Sequence, residues 1–165
     1  DVGASYCEKD LAETAREIIR LAGQSNCKLF LPIDIVVAEQ MAKGVPTRVR
    51  NLGNVDEHER ILDAGPETVE RLKRAMGNSK TLIWNGPLGV FEIPPFDRGT
   101  VEAAKEAAKL AKEGKLVAVA GGGDTVSAMH HAGVADDLTF ISTAGGAFLE
   151  WMEGRELPGV KALRG

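Results

Sequence analysis

The sequence predicts an α/β fold, a parallel sheet with helices on both faces. Three observations carry that expectation. Short apolar runs such as "TLIW" and "LVAVA" recur along the chain without polar alternation, the pattern of strands covered on both sides. Amphipathic stretches of helical period alternate with those runs. Glycine-rich turns follow three of the runs directly, where strand-to-helix connections belong.

Taken in order, "SYCEKDLAETAREIIRLAGQ" predicts a helix. Ser5 and Glu8 have capping-box spacing, and Leu11, Ala15, Ile18, Ile19 and Ala22 fall on one face. "CKLFLPID" predicts a short buried strand over Lys28–Leu31, ended by Pro32, with Asp34 just beyond. Cys27, at the head of that run, reads as a small buried thiol. Val36–Ala38 and Thr47–Val49 read as short extended pieces around a Lys43-Gly44 turn, and 51–65 as mostly irregular surface connection. Pro66 opens a second helix that Gly77 closes.

A strand at Thr81–Trp84 breaks at Asn85-Gly86-Pro87. "FDRGTVEAAKEAAKLAKEGK" is the clearest helix, with Val101, Ala104, Ala108 and Ala111 inward and Glu102, Lys105, Glu106 and Lys109 facing water. A strand at Lys115–Ala120 runs into "AGGGDT" and a helix to about His131. A last strand, Leu138–Ser142, leads into the turn and helix of "STAGGAFLEWMEG".

Composition narrows the function. The 165 residues suffice for one domain or part of a larger one. The 19 glycines, above the usual level of about 7%, cluster rather than repeat, which argues for special turns instead of a fibre. A net charge of −4 leaves no broad footprint for nucleic acid. Phosphate must then be held by local devices: backbone amides, a helix end, or a metal ion. Two cysteines, Cys7 and Cys27, make neither a disulfide framework nor a zinc site. No leader pattern and no apolar run of the roughly 18 residues a membrane helix needs is found, so the expected location is the cytoplasm.

In a parallel sheet, "WNGPLGVFE", "AGGGDT" and "STAGGA" all open onto the carboxyl edge, where ligands of such folds collect. Two of them precede helices whose first amides are free and whose dipole ends are positive, suitable for a polyphosphate. Familiar signatures are absent. No Walker motif occurs, and Val126 stands where a dinucleotide fingerprint needs glycine or alanine. Asp124 has two readings: a helix cap, or a ligand to Mg²⁺ shared with phosphate oxygens and water. Glu92 is either a rim charge or an acceptor for ribose hydroxyls. His130 and His131 point about 100° apart on a helix and read as surface or packing residues, not as a metal pair. Trp84 and Trp151 read as core or cleft-wall aromatics. Lys112, Lys115 and Lys161 read as solvated.

"LIWNGPLGVFE" with Phe96, Gly99 and Thr100, then "AGGGDT", then "STAGGAFLEWMEGRELPGV", resembles the phosphoglycerate kinase family in order and spacing. "LPID" and "D.GP.T" (Asp63, Gly65, Pro66, Thr68) extend the likeness over most of the chain. The resemblance implies a Rossmann-like fold, with 1–152 part of the nucleotide-binding C-terminal domain. It implies that 153–165 is the tail returning to the N-terminal domain. It also implies reversible transfer of a phosphoryl group from 1,3-bisphosphoglycerate to ADP, giving 3-phosphoglycerate and ATP, by a full-length protein that is a monomer.

Residue by residue, Gly121, Gly122, Gly123, Asp124 and Thr125 match the loop for nucleotide phosphates and Mg²⁺, with Asp124 as the metal ligand. Glu92 matches the ribose-binding glutamate, while Asn85, Gly86, Pro87 and Val90 match the wall of the nucleotide cleft. Ser142, Thr143, Gly145 and Gly146 match the helix start that faces the phosphate in transit.

Two departures are local: Ala144 replaces a usual glycine, and 54–62 lacks the usual tryptophan- and glycine-containing segment. A larger one is that nothing here corresponds to the N-terminal domain or to the Gly-Gly-Ala-Lys turn of the nucleotide domain. The expectation is therefore unpaired apolar edges and either further chain or self-association, with little turnover from these residues alone. Two rivals share the motifs or the fold: a nucleotide-binding piece without activity, and an α/β assembly module whose glycines serve only packing.

Overall fold

In a computed structural model, residues 2–142 and 145–164 are described. A 3₁₀ turn at Lys9–Leu11 leads into α1 (Ala12–Gln24), followed by β1 (Asp34–Ala38), β2 (Arg48–Asn51) and β3 (Arg60–Ala64). Then come α2 (Pro66–Gly77), β4 (Thr81–Trp84), α3 (Arg98–Lys112), β5 (Val117–Gly121) and α4 (Gly123–His131). A second 3₁₀ turn at Ala135–Asp137, β6 (Phe140–Ser142), α5 (Gly145–Met152) and α6 (Pro158–Arg164) complete the order.

The α/β class holds. Strands β4, β5 and β6 pair in parallel in that order, with Trp84 beside Ala120 and Gly121 beside Ser142. Helices α3 and α4 connect them, and their alanines pack with Trp84, Ala118, Ala120 and Met129 in the principal core. Small side chains let helix and sheet approach closely, which is why α3 buries Ala103, Ala104, Ala107 and Ala108 on one stripe. Ile83, Val117 and Phe140, on the alternate positions of the strands, remain exposed at 38, 48 and 60%.

The second sheet is antiparallel, in the order β2-β1-β3. The two extended pieces around Lys43-Gly44 are its β2 and β1. Strand β3, however, lies inside the stretch expected to be irregular. Its buried polar partners explain the missed signal: Glu59, just before it, is 1% exposed and receives bonds from Arg48 Nη1 and Arg50 Nη2 at 3.0 Å. Those guanidiniums, Arg50 foremost, hold the Glu59 carboxyl down at about 2.

Three other expectations are corrected. The strand at Lys28–Leu31 does not form; no described strand lies beside it, and Leu29, Phe30 and Leu31 are exposed. A buried strand without a ladder partner has unpaired amides and no reason to stay extended. Cys27 is exposed, not buried. The Ser5–Glu8 capping box is absent because the Ser5 hydroxyl instead accepts from the Ile61 N–H at 2.8 Å, tying the N-terminal segment to β3.

On α1 only Ala22 is buried, while Ile18 and Ile19, and Leu11 just before the helix, are about half exposed. Trp84 is buried as expected, but Trp151 is 57% exposed. The three lysines expected in solvent are exposed, and each pairs with a carboxylate, Lys112 with Asp137 for example.

Candidate functional site

The turn after β4 and the start of α4 meet through one hydrogen bond. The Gly86 N–H donates to the Thr125 hydroxyl at 2.7 Å. Thr125 is 1% exposed, so this bond is shielded from water. Next to it, Gly122 has φ +95° and ψ 144°, a conformation open to glycine. A Cβ there would lie 3.3 Å from Asn85 Oδ1. The Gly122 N–H reaches the Ser142 carbonyl at 3.3 Å, joining the third turn. Asn85, Gly86, Gly121, Gly122, Thr125 and Ser142 thus gather at the carboxyl edge of the parallel strands.

Gly123 and Asp124 open α4 and are exposed. Asp124 does not cap that helix: the N-cap position is Gly122, and no side chain caps it. Among the described residues the Asp124 carboxylate has no hydrogen-bond partner, which leaves its lone pairs open at a helix start. One exposed carboxylate beside free amides suits a hard divalent cation that also takes phosphate oxygens and water. Among the described residues no group of three metal-ligating side chains occurs.

Gly145 and Gly146 open α5 just past β6, and Thr143 lies outside the described residues, as does Ala144. Glu92 is exposed on the segment between β4 and α3. His131 packs edge-on to Phe91 and bonds Asp97 Oδ2 through Nε2 at 2.9 Å, in keeping with a packing role. His130 is exposed.

Beside the junction lies a cleft of about 450 Å³. Pro87 and Val90 line it, and so do Leu31, Pro32 and Leu62, which sequence reasoning did not single out as site residues. The "LPID" stretch was the available signal for two of them. The Val90 N–H donates to the Leu62 carbonyl at 2.9 Å, and the Leu88 N–H to Thr100 Oγ1 at 3.0 Å. These bonds set the turn between β3 and α3.

Two buried aspartates brace this wall. Asp34 accepts from the N–H groups of Glu67 and Thr68 at 3.0 and 2.7 Å, capping α2 from the start of β1. Burial opposes its charge, but the bonds from Thr68 and Glu67 outweigh that and hold the carboxyl below its ordinary range. Asp63 is 2% exposed and has no cation partner among the described residues. Burial pushes its carboxyl up to about 6, even though the N–H groups of Gly99 and Ala64 donate to it at 2.8 Å.

Fold and edge together define an α/β protein of the parallel-sheet class, whose strands end in linked glycine turns. The sequence pattern of phosphoglycerate kinase matches residues 1–155, and the chain belongs to that family. A phosphoglycerate kinase of Caulobacter vibrioides is 67% identical over 163 residues, 99% of this chain and 41% of the relative. The structure of phosphoglycerate kinase from Coxiella burnetii superposes with a TM-score of 0.90 at 37% identity, covering 98% of this chain and 41% of that one. The enzyme from Pyrococcus horikoshii superposes at 0.75 with 27% identity over 95% of this chain and 38% of that one. The chain therefore spans about two fifths of the length of these relatives.

Proposed function

We propose that this chain is the nucleotide-binding part of a phosphoglycerate kinase. The whole protein then moves a phosphoryl group reversibly between 1,3-bisphosphoglycerate and ADP, as a cytoplasmic monomer of glycolysis. The carrying observation is the Gly86–Thr125 hydrogen bond, which unites two of the three glycine turns at the edge where α/β folds bind ligands.

In this reading Pro87 and Val90 hold the base and Glu92 the ribose. The amides of Gly123 and Thr125 at the start of α4 meet the phosphates, where free N–H groups and the helix dipole favour negative charge, and Gly122, whose own N–H is taken by the Ser142 carbonyl, leaves room for them to approach. Asp124 holds Mg²⁺, which when bound neutralises charge on the phosphate oxygens. Ser142, Thr143, Gly145 and Gly146 face the phosphoryl group in transit. Their amides suit charge that builds on its equatorial oxygens, and no general base is needed because the acceptor or leaving group is a carboxylate. The substrate acid binds the remainder of the protein. The net charge of −4 supports small-molecule partners and not nucleic acid, and no described helix is long and apolar enough to cross a membrane.

Titration of the full-length protein with Mg-ADP, beside Asp124→Ala, tests this. The expected result is a loss of roughly tenfold or more in the Mg²⁺-dependent affinity, the scale of one charge-assisted contact. Unchanged affinity would favour glycines that serve only packing. A coupled ATP-forming assay on the same protein then separates an enzyme from a binding module.

A further inference from the structure

We propose that Asp63 is a positioning residue for the nucleotide, its buried carboxylate clamping the Gly86–Val90 turn of the cleft wall to the start of α3. The inference rests on the nucleotide reading above and adds to it a residue that touches no phosphate.

The geometry is specific. Asp63 Oδ2 accepts from the Gly99 N–H, in the first turn of α3, at 2.8 Å. Its Oδ1 faces the turn so closely that a Cβ on Gly89 would stand 2.3 Å from it. A Cβ on Gly99 would stand 2.5 Å from the same oxygen. The carboxylate therefore fills the space between two glycines, one from each element, and larger residues at either would force them apart. The neighbouring bonds, Val90 N–H to Leu62 and Leu88 N–H to Thr100, fix the two ends of that turn. Pro87 and Val90 lie on the turn, so its seat on Asp63 sets the width of the cleft.

A buried carboxylate without a cation is costly, and a purely structural acceptor could be an amide or hydroxyl. The charged groups facing it are Asp97, just before α3, and Glu102 on α3, both of the same sign, with Arg71 of α2 on the same cleft and not ion-paired to it. Its titration near 6 follows from that setting. Protonation turns one oxygen from acceptor to donor, so either the Gly99 N–H on Oδ2 or the Ala64 N–H on Oδ1 loses its partner. The clamp is then full only when the group is ionised, and bound nucleotide favours the ionised form.

The test is calorimetric titration of the full-length protein and of Asp63→Asn with Mg-ADP between about pH 5 and pH 8. The nucleotide phosphates titrate alike in both, so the ratio of dissociation constants reports Asp63 alone. Asparagine imitates the neutral acid. The expected ratio is about tenfold at the upper pH, the size of one lost bond to a charged acceptor, falling toward one at the lower. A ratio of one throughout, with binding intact, overturns the clamp and leaves the nucleotide reading standing. Absence of Mg-ADP binding in the wild type overturns both.

If Asp63→Asn does not fold, amide exchange of Gly99 in the wild type decides. Protection by Mg-ADP that is stronger at pH 8 than at pH 5, after correction for intrinsic rates, supports the clamp. Equal protection overturns it.

Discussion

Thr125 and Gly86, 39 residues apart in sequence, are joined by a 2.7 Å hydrogen bond from the Gly86 N–H to the threonine hydroxyl. It joins two loops of one edge into a single wall. Thr125→Ala leaves a shielded N–H without a partner and is expected to cost about 2 kcal/mol in denaturant unfolding. Thr125→Ser, which keeps the oxygen, should lose much less. If the bond also holds the phosphate loop, Mg-ADP affinity falls with alanine and returns with serine.

Gly122→Ala tests the loop's backbone. At φ +95° an L-residue is strained by about 1 to 3 kcal/mol, and its Cβ would press on Asn85 Oδ1 at 3.3 Å. Thermal unfolding should show the loss. A larger fractional fall in Mg-ADP affinity is expected than for a substitution of equal cost elsewhere on α4.

Asp34 ties "LPID" to "D.GP.T" by capping α2 across the fold. Asp34→Ala removes the acceptor for two amides and the Thr68 hydroxyl, and should destabilise by about 2 to 3 kcal/mol. Asp34→Asn keeps one oxygen and should retain part of that. Unfolding by urea with an unchanged slope is the check.

Two carboxylates give stability opposite pH dependences. Glu59 drops from 4.5 to about 2 on folding, so its contribution is present above about pH 4.5 and disappears as pH falls toward 2. Glu59→Gln should therefore flatten the acid limb of the stability curve. Asp63 rises from 3.8 to about 6, so its contribution is complete below about pH 3.8 and is lost as pH climbs through 6. Asp63→Asn should remove that decline, a difference on the order of 3 kcal/mol between pH 4 and pH 8. Paired melting curves across pH distinguish the two signs.

Much of the fold was legible because its signals are local. Pro66 at a helix start, the alanine stripe of α3, the run at Thr81–Trp84 and the glycines before α4 each act within a few residues. The three glycine turns were legible for the same reason, since glycine clusters after strands advertise themselves. Strand β3 was missed because Glu59 just before it and Asp63 within it are buried carboxyls, and their burial depends on partners on other elements, the arginines of β2 and the Gly99 amide of α3. The strand at Lys28–Leu31 was overcalled because an apolar run shows what wants burial, not whether a neighbour is present to bury it.

Periodicity and turn chemistry were enough to establish the class, helices α1 to α5 and the edge on which the glycine turns lie, because propensity and pattern are short-range; α6, in the stretch read only as a tail, was not among them. The antiparallel sheet, the bond between Gly86 and Thr125, and the seating of Gly89 and Gly99 on Asp63 came only with the folded chain. Those features join residues tens of positions apart, and only the close packing of the whole chain selects which distant groups meet.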